Sequence, residues 1–171
     1  MHLSPVVDLL CADPATEEVM EAAREGAPAV DVSLAAGAHP ALLAALARTD
    51  ETPVLAVTAT GREADDLVTA LGELLPDGGT SVAGFPSWET LPHERLSPRS
   101  DTVGRRLATL RRLAHPDPTD PQAGRVRVVV ASVRALLQPI VKGLGELAPV
   151  RLQAGDERPP AEVVEALAAA A

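Results

Sequence analysis

The one stretch whose residue types and spacing could perform nucleotide chemistry runs from Ala56 to Glu63, AVTATGRE. A working phosphate loop reads G-x-x-x-x-G-K-[ST]. Backbone amides and a helix N-terminus cradle the phosphates, the lysine reaches the terminal phosphates, and the hydroxyl holds magnesium. Here Ala56 stands at the first glycine, Thr58, Ala59 and Thr60 fill the turn, and Gly61 keeps the second glycine. Arg62 replaces the lysine and Glu63 the hydroxyl. Alanine for glycine costs some close backbone approach, and arginine keeps the charge without the compact ammonium geometry. Glu63 decides the matter. Two like unit charges at about 4 Å repel by about 4 kcal/mol at an effective dielectric of about 20. That is roughly a thousandfold loss of affinity. The expectation is a vestigial, non-binding loop. Taken alone, the stretch is read equally well as an ordinary strand-to-helix turn with chance similarity.

No other constellation competes. Glu89 and Glu94 are isolated loop acids rather than an acid/base pair. His2, His39, His93 and His115 lie far apart with no metal-ligand spacing, and Cys11 is the only cysteine, so no cysteine zinc cage or internal disulfide is available. No metal site and no catalytic residue are assigned. Trp88, flanked by prolines in FPSWETLP, reads as an anchor pinning a loop to the core. Arg105, Arg106, Arg111 and Arg112 fall mostly outside the apolar stripe of their helix, so they read as a solvated face or as an interdomain contact.

The elements that position these residues alternate. Asp13 caps a helix with Pro14 at its first position and Gly26 as its stop. Ala29–Leu34 reads as a strand, and a short helix starts at His39–Pro40. PVLAVT (53–58) is a buried strand, followed by a helix from Gly61 to Leu75. Its apolar face holds Ala64, Leu67, Val68, Leu71, Leu74 and Leu75. After Asp77-Gly78-Gly79 comes a short strand, Ser81–Phe85, then a proline-punctuated loop. A helix over 101–114 is expected to bury Val103, Leu107, Leu110 and Ala114. VRVVVA (126–131) is the most apolar strand, and Ser132 caps the helix after it. Strands alternating with helices define an α/β fold, a parallel sheet flanked by helices. Three regions are expected: a helical extension (1–28), the α/β domain (29–142), and the start of a small inserted α+β domain (143–171). Ending in EVVEALAAAA without a cap, the last helix is expected to belong to a longer chain.

Charge is uneven. Residues 1–91 carry a net −12, residues 92–142 a net +6, and residues 143–171 a net −3. An acidic chain repels a phosphate backbone. With Phe85 and Trp88 the only aromatic residues, stacking platforms for single-stranded nucleic acid are lacking. No stretch approaches the roughly 20 apolar residues of a membrane span, nor a signal peptide, so a cytoplasmic location is expected.

Three segments, VLAVTATGREADDL, FPSWETLPHERLSPRSDTVGRRLATLRRLAHP and VVVASVRALLQP, resemble in order and spacing the amino-terminal region of transcription-repair coupling factors of the Mfd type. The resemblance covers about Pro53 to Gln138 and weakens through Ala171. Richness in arginine and alanine, with Lys142 the only lysine, points to an actinobacterial source. In that family the region is similar to the excinuclease protein UvrB, with a degenerate helicase-like domain and an inserted domain that recruits UvrA. In UvrB the corresponding loop is intact and an aromatic-rich hairpin clamps DNA. This chain has a degenerate loop, only a short connection between Trp88 and the next helix, and no tyrosine. It therefore resembles the coupling factor. The resemblance implies a non-catalytic module of a transcription-coupled repair factor, with no cofactor in this segment. ATP and Mg2+, the translocase motor, its double-stranded DNA and the RNA polymerase contact lie in the full-length family member. The contacts to UvrA lie mostly downstream. The alternatives are a divergent NTP-binding protein and a UvrB-like damage-binding protein.

Overall fold

The computed structural model describes residues 3–49, 52–90, 97–120, 122–144 and 150–169. Helices α1 (Ser4–Cys11) and α2 (Pro14–Arg24) open the chain. A 3-10 turn (Ala36–Ala38) leads into α3 (His39–Thr49). Then β1 (Val54–Thr58), α4 (Gly61–Leu74), β2 (Val82–Phe85), α5 (Ser100–Ala114), β3 (Val128–Ser132) and α6 (Val133–Leu137) follow, with α7 (Pro160–Ala169) last.

The three strands form one parallel sheet in the order β1-β3-β2. Val54 pairs with Val128 and Thr58 with Ser132 on one side of β3, and Val82 pairs with Val128 and Phe85 with Ala131 on the other. The VVVAS run of β3 is buried at every residue, as a central parallel strand covered on both faces must be.

Two cores result. On one face Ala56, Val82, Val128 and Val130 pack with Ala41, Ala44 and Ala45 of α3 and Ala64, Leu71 and Leu74 of α4. Leu67 and Val68 pack at the margin of the same cluster, so the predicted stripe of α4 faces inward. On the other face Ala83, Phe85, Val129 and Ala131 meet Ala135 and, partly, Leu110 of α5.

The caps follow the local sequence. The Asp13 carboxylate accepts from the Thr16 amide at 3.0 Å, and Ser132 Oγ accepts from the Ala135 amide at 3.3 Å. The first 28 residues, set apart by sequence as an extension, share the main core through Val7 and Met20.

Two expectations are corrected. Ala29–Leu34 forms no strand, because it finds no pairing neighbour; the only pairings among the described residues are those of β1, β2 and β3. Helix α5 is turned by about one residue from the face expected of it. Thr102, Arg106 and Thr109 are buried, whereas Leu107 is exposed. The physical reason is a buried guanidinium, described below. Pro92, His93, Glu94 and Arg95 lie outside the described residues, as do residues 145–149.

Between α4 and β2 the chain turns on Asp77. Its carboxylate accepts from the Gly79 and Ser81 amides, each at 3.0 Å. Burial alone would raise the Asp77 pKa, but hydrogen bonds from Ser81, Gly79 and Thr80 outweigh it and hold the carboxyl below its ordinary value. A carboxyl that titrates lower when folded stabilises fully above the unfolded value, about pH 4, and loses that contribution as pH falls through the folded one. Asp77→Asn is therefore expected to cost about 1 kcal/mol at pH 7. The gap from wild type should close on acidification. Urea melts at pH 7 and at successively lower pH check this; a gap constant with pH would refute it.

Candidate functional site

The strand-to-helix turn after β1 has only Ala59 and Thr60 between the strand and α4. Ala56 and Thr58 are strand residues, and Gly61, Arg62 and Glu63 are already helical. Ala56 is buried, while Ala59 through Glu63 are exposed.

Thr60 is the N-cap. Its hydroxyl accepts from the Glu63 amide at 3.2 Å, and the Glu63 carboxylate accepts from the Ala59 and Thr60 amides at 3.1 and 3.2 Å. The Thr58 hydroxyl donates to the Thr60 carbonyl at 2.8 Å, tightening the turn further. This is a capping box. The loop amides that would greet a phosphate already hold a carboxylate from their own helix. Glu63 thus acts by occupying donors at the helix N-terminus, more directly than by the repulsion expected from its charge alone. The signal was present as T-x-x-E, a helix-start signature that the nucleotide pattern overlaid. The Ala59, Thr60 and Glu63 amides are held by side chains of the same turn, and Glu63 rather than a hydroxyl stands at the magnesium position of the motif.

A cleft of about 270 Å³ opens at the carboxyl ends of β2 and β3, between α4 and α5. That is where open α/β sheets place ligands. Its walls include Gly61, Asp65, Gly84, Ser87, Thr102 and Arg105. Arg105 reaches Asp65 at 3.7 Å, and Arg99 pairs with Asp101 at 3.2 Å. The Thr102 hydroxyl donates to Glu89, which holds that exposed carboxyl below its ordinary range. With three acids and two arginines along the cleft, its field does not favour a polyanion. Among the described residues, no group of three or more His, Cys, Asp or Glu side chains could hold a metal ion.

The basic helix is engaged rather than presented. Arg106, only 2% exposed, lies between the two aromatic rings of the chain, 4.0 Å from the Phe85 centroid and 4.3 Å from that of Trp88. It donates to the Pro86 carbonyl at 2.7 Å, and burial pulls its pKa down. Arg112 donates to the Gly124 carbonyl at 2.8 Å and also to that of Thr80. Burial lowers its pKa, against the opposing pull of Asp77. Arg111 lies 3.8 Å from Asp120. The four arginines are therefore not one free surface. Arg106 is interior, and Arg105 is the most open to a partner, with about half of its side chain exposed.

Trp88 is held from two sides. Its amide donates to Gln138 Oε1 at 2.6 Å, the Gln138 amide donates back to the Trp88 carbonyl at 3.3 Å, and its ring covers Arg106.

Fold and site together define the class: a parallel α/β domain of helicase-like, degenerate phosphate-loop architecture, whose turn is closed by its own side chain. No protein-family model matches the chain. Over 158 residues, 92% of its length, it is 49% identical to the transcription-repair-coupling factor of Mycobacterium bovis (strain ATCC BAA-935 / AF2122/97). The same figures hold for that of Mycobacterium tuberculosis (strain CDC 1551 / Oshkosh). The chain is a homologue of the transcription-repair-coupling factors, matching their amino-terminal region. It spans 12% of the length of these relatives. Among the described residues no helix is long and apolar enough to cross a membrane.

Proposed function

We propose that this chain is the non-catalytic platform of a transcription-coupled repair factor. In this reading, ATP, Mg2+ and duplex DNA are handled elsewhere in the longer protein, and UvrA and RNA polymerase are met mostly through other segments. The domain itself binds no nucleotide. Residues 29–142 form the platform, and residues 143–171 lead toward the UvrA-recruiting part. The observation that carries the reading is the Glu63 carboxylate on the Ala59 and Thr60 amides, in a chain matching coupling factors over 92% of its length.

The alternatives fare worse on specific residues. A divergent NTPase needs the loop amides that Glu63 holds. A damage-binding protein of the UvrB sort needs free aromatics, and both rings of this chain face Arg106. Titration of the 171-residue chain with fluorescent ATP and Mg2+ is expected to show no saturable binding into the millimolar range. Glu63→Gln, which keeps the side chain's hydrogen-bonding reach, is expected to behave alike. Micromolar binding by the wild-type chain would overturn the reading.

The basic middle serves, in the same proposal, to hold the platform against acidic surfaces of the motor domains in a resting state. Arg105 is the residue that can do so, because Arg106 is interior and Arg112 is committed to backbone carbonyls. Arg105→Glu in a full-length coupling factor is expected to raise basal ATPase severalfold and leave the melting temperature of the domain nearly unchanged. Unaltered ATPase would count against the contact.

A further inference from the structure

The loop between α5 and β3 is built to hold one carboxylate still. Pro118 confines Asp117 before it to extended backbone. The Asp117 amide donates to the Ala123 carbonyl at 2.8 Å, and the Ala123 amide donates to the Asp120 carbonyl at 2.9 Å. Ala123 is fully buried, and Val126 just beyond it belongs to the core that Leu110 of α5 joins. Helix α5 braces the loop from its own side: Arg112 donates to the Gly124 carbonyl at 2.8 Å, and Arg111 lies 3.8 Å from Asp120. Within this frame Asp117 Oδ1 accepts from the Thr119 amide at 2.9 Å and from the Thr119 hydroxyl at 2.7 Å.

Asp117 Oδ2 is buried and has no hydrogen-bond partner within the loop. A buried carboxylate oxygen left so is unfavourable, and the site therefore calls for a cation. Arg151 provides it, its guanidinium forming an ion pair with Oδ2. The two sides of the pair differ. The Asp117 side chain is 10% exposed and that of Arg151 47%. Arg151 also lies in a segment with little hold of its own. Leu152 is exposed, and α7 has no buried residue. The turn between them is closed locally, by the Asp156 carboxylate accepting from the Gln153 amide at 2.8 Å. The acid belongs to the body of the fold and the cation to a strap laid against it.

We infer that Asp117 is a preformed arginine receptor, and that Arg151 seated in it latches the segment from residue 150 onward to the α/β domain. Only the acid side of the pair is deeply buried, so the latch opens at a cost set by the stranded carboxylate, while the guanidinium returns readily to water. The latch fixes the direction in which the chain leaves the platform. That this direction leads toward the UvrA-recruiting part rests on the proposed function; the latch itself does not.

Spin-label distances in the 171-residue chain test this. Cys11→Ser with Leu9→Cys and Leu152→Cys places one label on α1 and one beside Arg151, both at exposed positions. One narrow distance distribution is expected. Arg151→Gln and Asp117→Asn are each expected to broaden it roughly twofold or more, and Arg151→Lys, which keeps the charge, to broaden it less. Stability gives a second readout, one that an exposed ion pair would barely move. Arg151→Gln strands the Asp117 charge and is expected to lower the melting temperature by about 3–6 °C. Adding Asp117→Asn to Arg151→Gln removes the stranded charge, and roughly half of that loss or more is expected to return. An unchanged distribution in Arg151→Gln would overturn the inference, as would a double variant that melts no higher than Arg151→Gln alone. ATP binding by the chain would sink the proposed function and leave these results standing.

Discussion

Arg106→Ala is expected to destabilise the domain by about 3 kcal/mol, the low end of the range for truncating a large buried side chain. The loss has three sources. Each ring that stacks on a desolvated guanidinium contributes up to about 2 kcal/mol. The hydrogen bond to the Pro86 carbonyl, made by a charged donor, adds about 1.5 kcal/mol or more. The side chain's volume leaves a cavity between α5 and β2. Against these stands relief of the cost of burying a charge, the same effect that lowers the Arg106 pKa. That relief keeps the net figure near the bottom of the range. For a chain of this size it corresponds to a fall in melting temperature of about 6–12 °C. Trp88, the only tryptophan, reports unfolding by fluorescence. Arg105→Ala, one residue away and tied to Asp65 across 3.7 Å, is expected to cost about 0.5 kcal/mol or less. Arg106→Met, which keeps the stem and avoids a buried charge, is expected to fall between them. Equal stability of the two alanine variants would show that the sandwich contributes nothing.

The same residue explains where the sequence misled. The helix α5 pattern offered Val103, Leu107 and Leu110 as an inward stripe, and a stripe rule assumes a broad apolar neighbour. Helix α5 instead packs beside β2, the edge strand, where the nearest large groups are Phe85 and Trp88. Two electron-rich faces close together favour a cation, and the helix turns to deliver one. Nothing in the periodicity encodes that, because Phe85 and Trp88 sit 21 and 18 residues before Arg106. Ala29–Leu34 failed for a related reason. Its alternation suggests a strand as a local preference, but pairing needs a neighbour, and among the described residues these find none. By contrast β1, β2, β3 and α4 were legible, since buried apolar runs and a capped amphipathic helix draw on local sequence alone. The turn at Thr60 was half legible. Glu63 marked it as a departure from the nucleotide pattern, while the fold of the turn, a carboxylate turned back onto two amides, was written in the overlapping T-x-x-E.

Gly79→Ala is expected to cost about 2–4 kcal/mol, and the reason is geometric. Gly79 has φ +83°, in the left-handed region where a Cβ costs about 1–2 kcal/mol. A Cβ built there would also lie 2.8 Å from Gly72 Cα and 3.6 Å from Gly72 N. Those are backbone atoms of α4, so no side-chain rotation relieves the contact and the turn or the helix must move, at about 1–3 kcal/mol. The displacement would not stay local. The Gly79 carbonyl accepts from the Val82 amide at 2.9 Å, the Ser81 carbonyl from the Arg127 amide at 2.8 Å, and the Thr80 carbonyl from Arg112. A shift therefore reaches the start of β2, the approach to β3 and the anchoring of α5 together. Gly72→Ala is the control from the other side of the contact. Its added Cβ meets only the Gly78 carbonyl, at an ordinary 3.9 Å, and alanine is favoured over glycine in a helix interior by about 1 kcal/mol. That variant is expected to melt higher than wild type and Gly79→Ala lower. The double variant is expected to be less stable than the sum of the two changes predicts, because a methyl on each side leaves neither backbone room to yield. Strict additivity in urea melts of the four proteins would mean that α4 and the turn do not meet at this point.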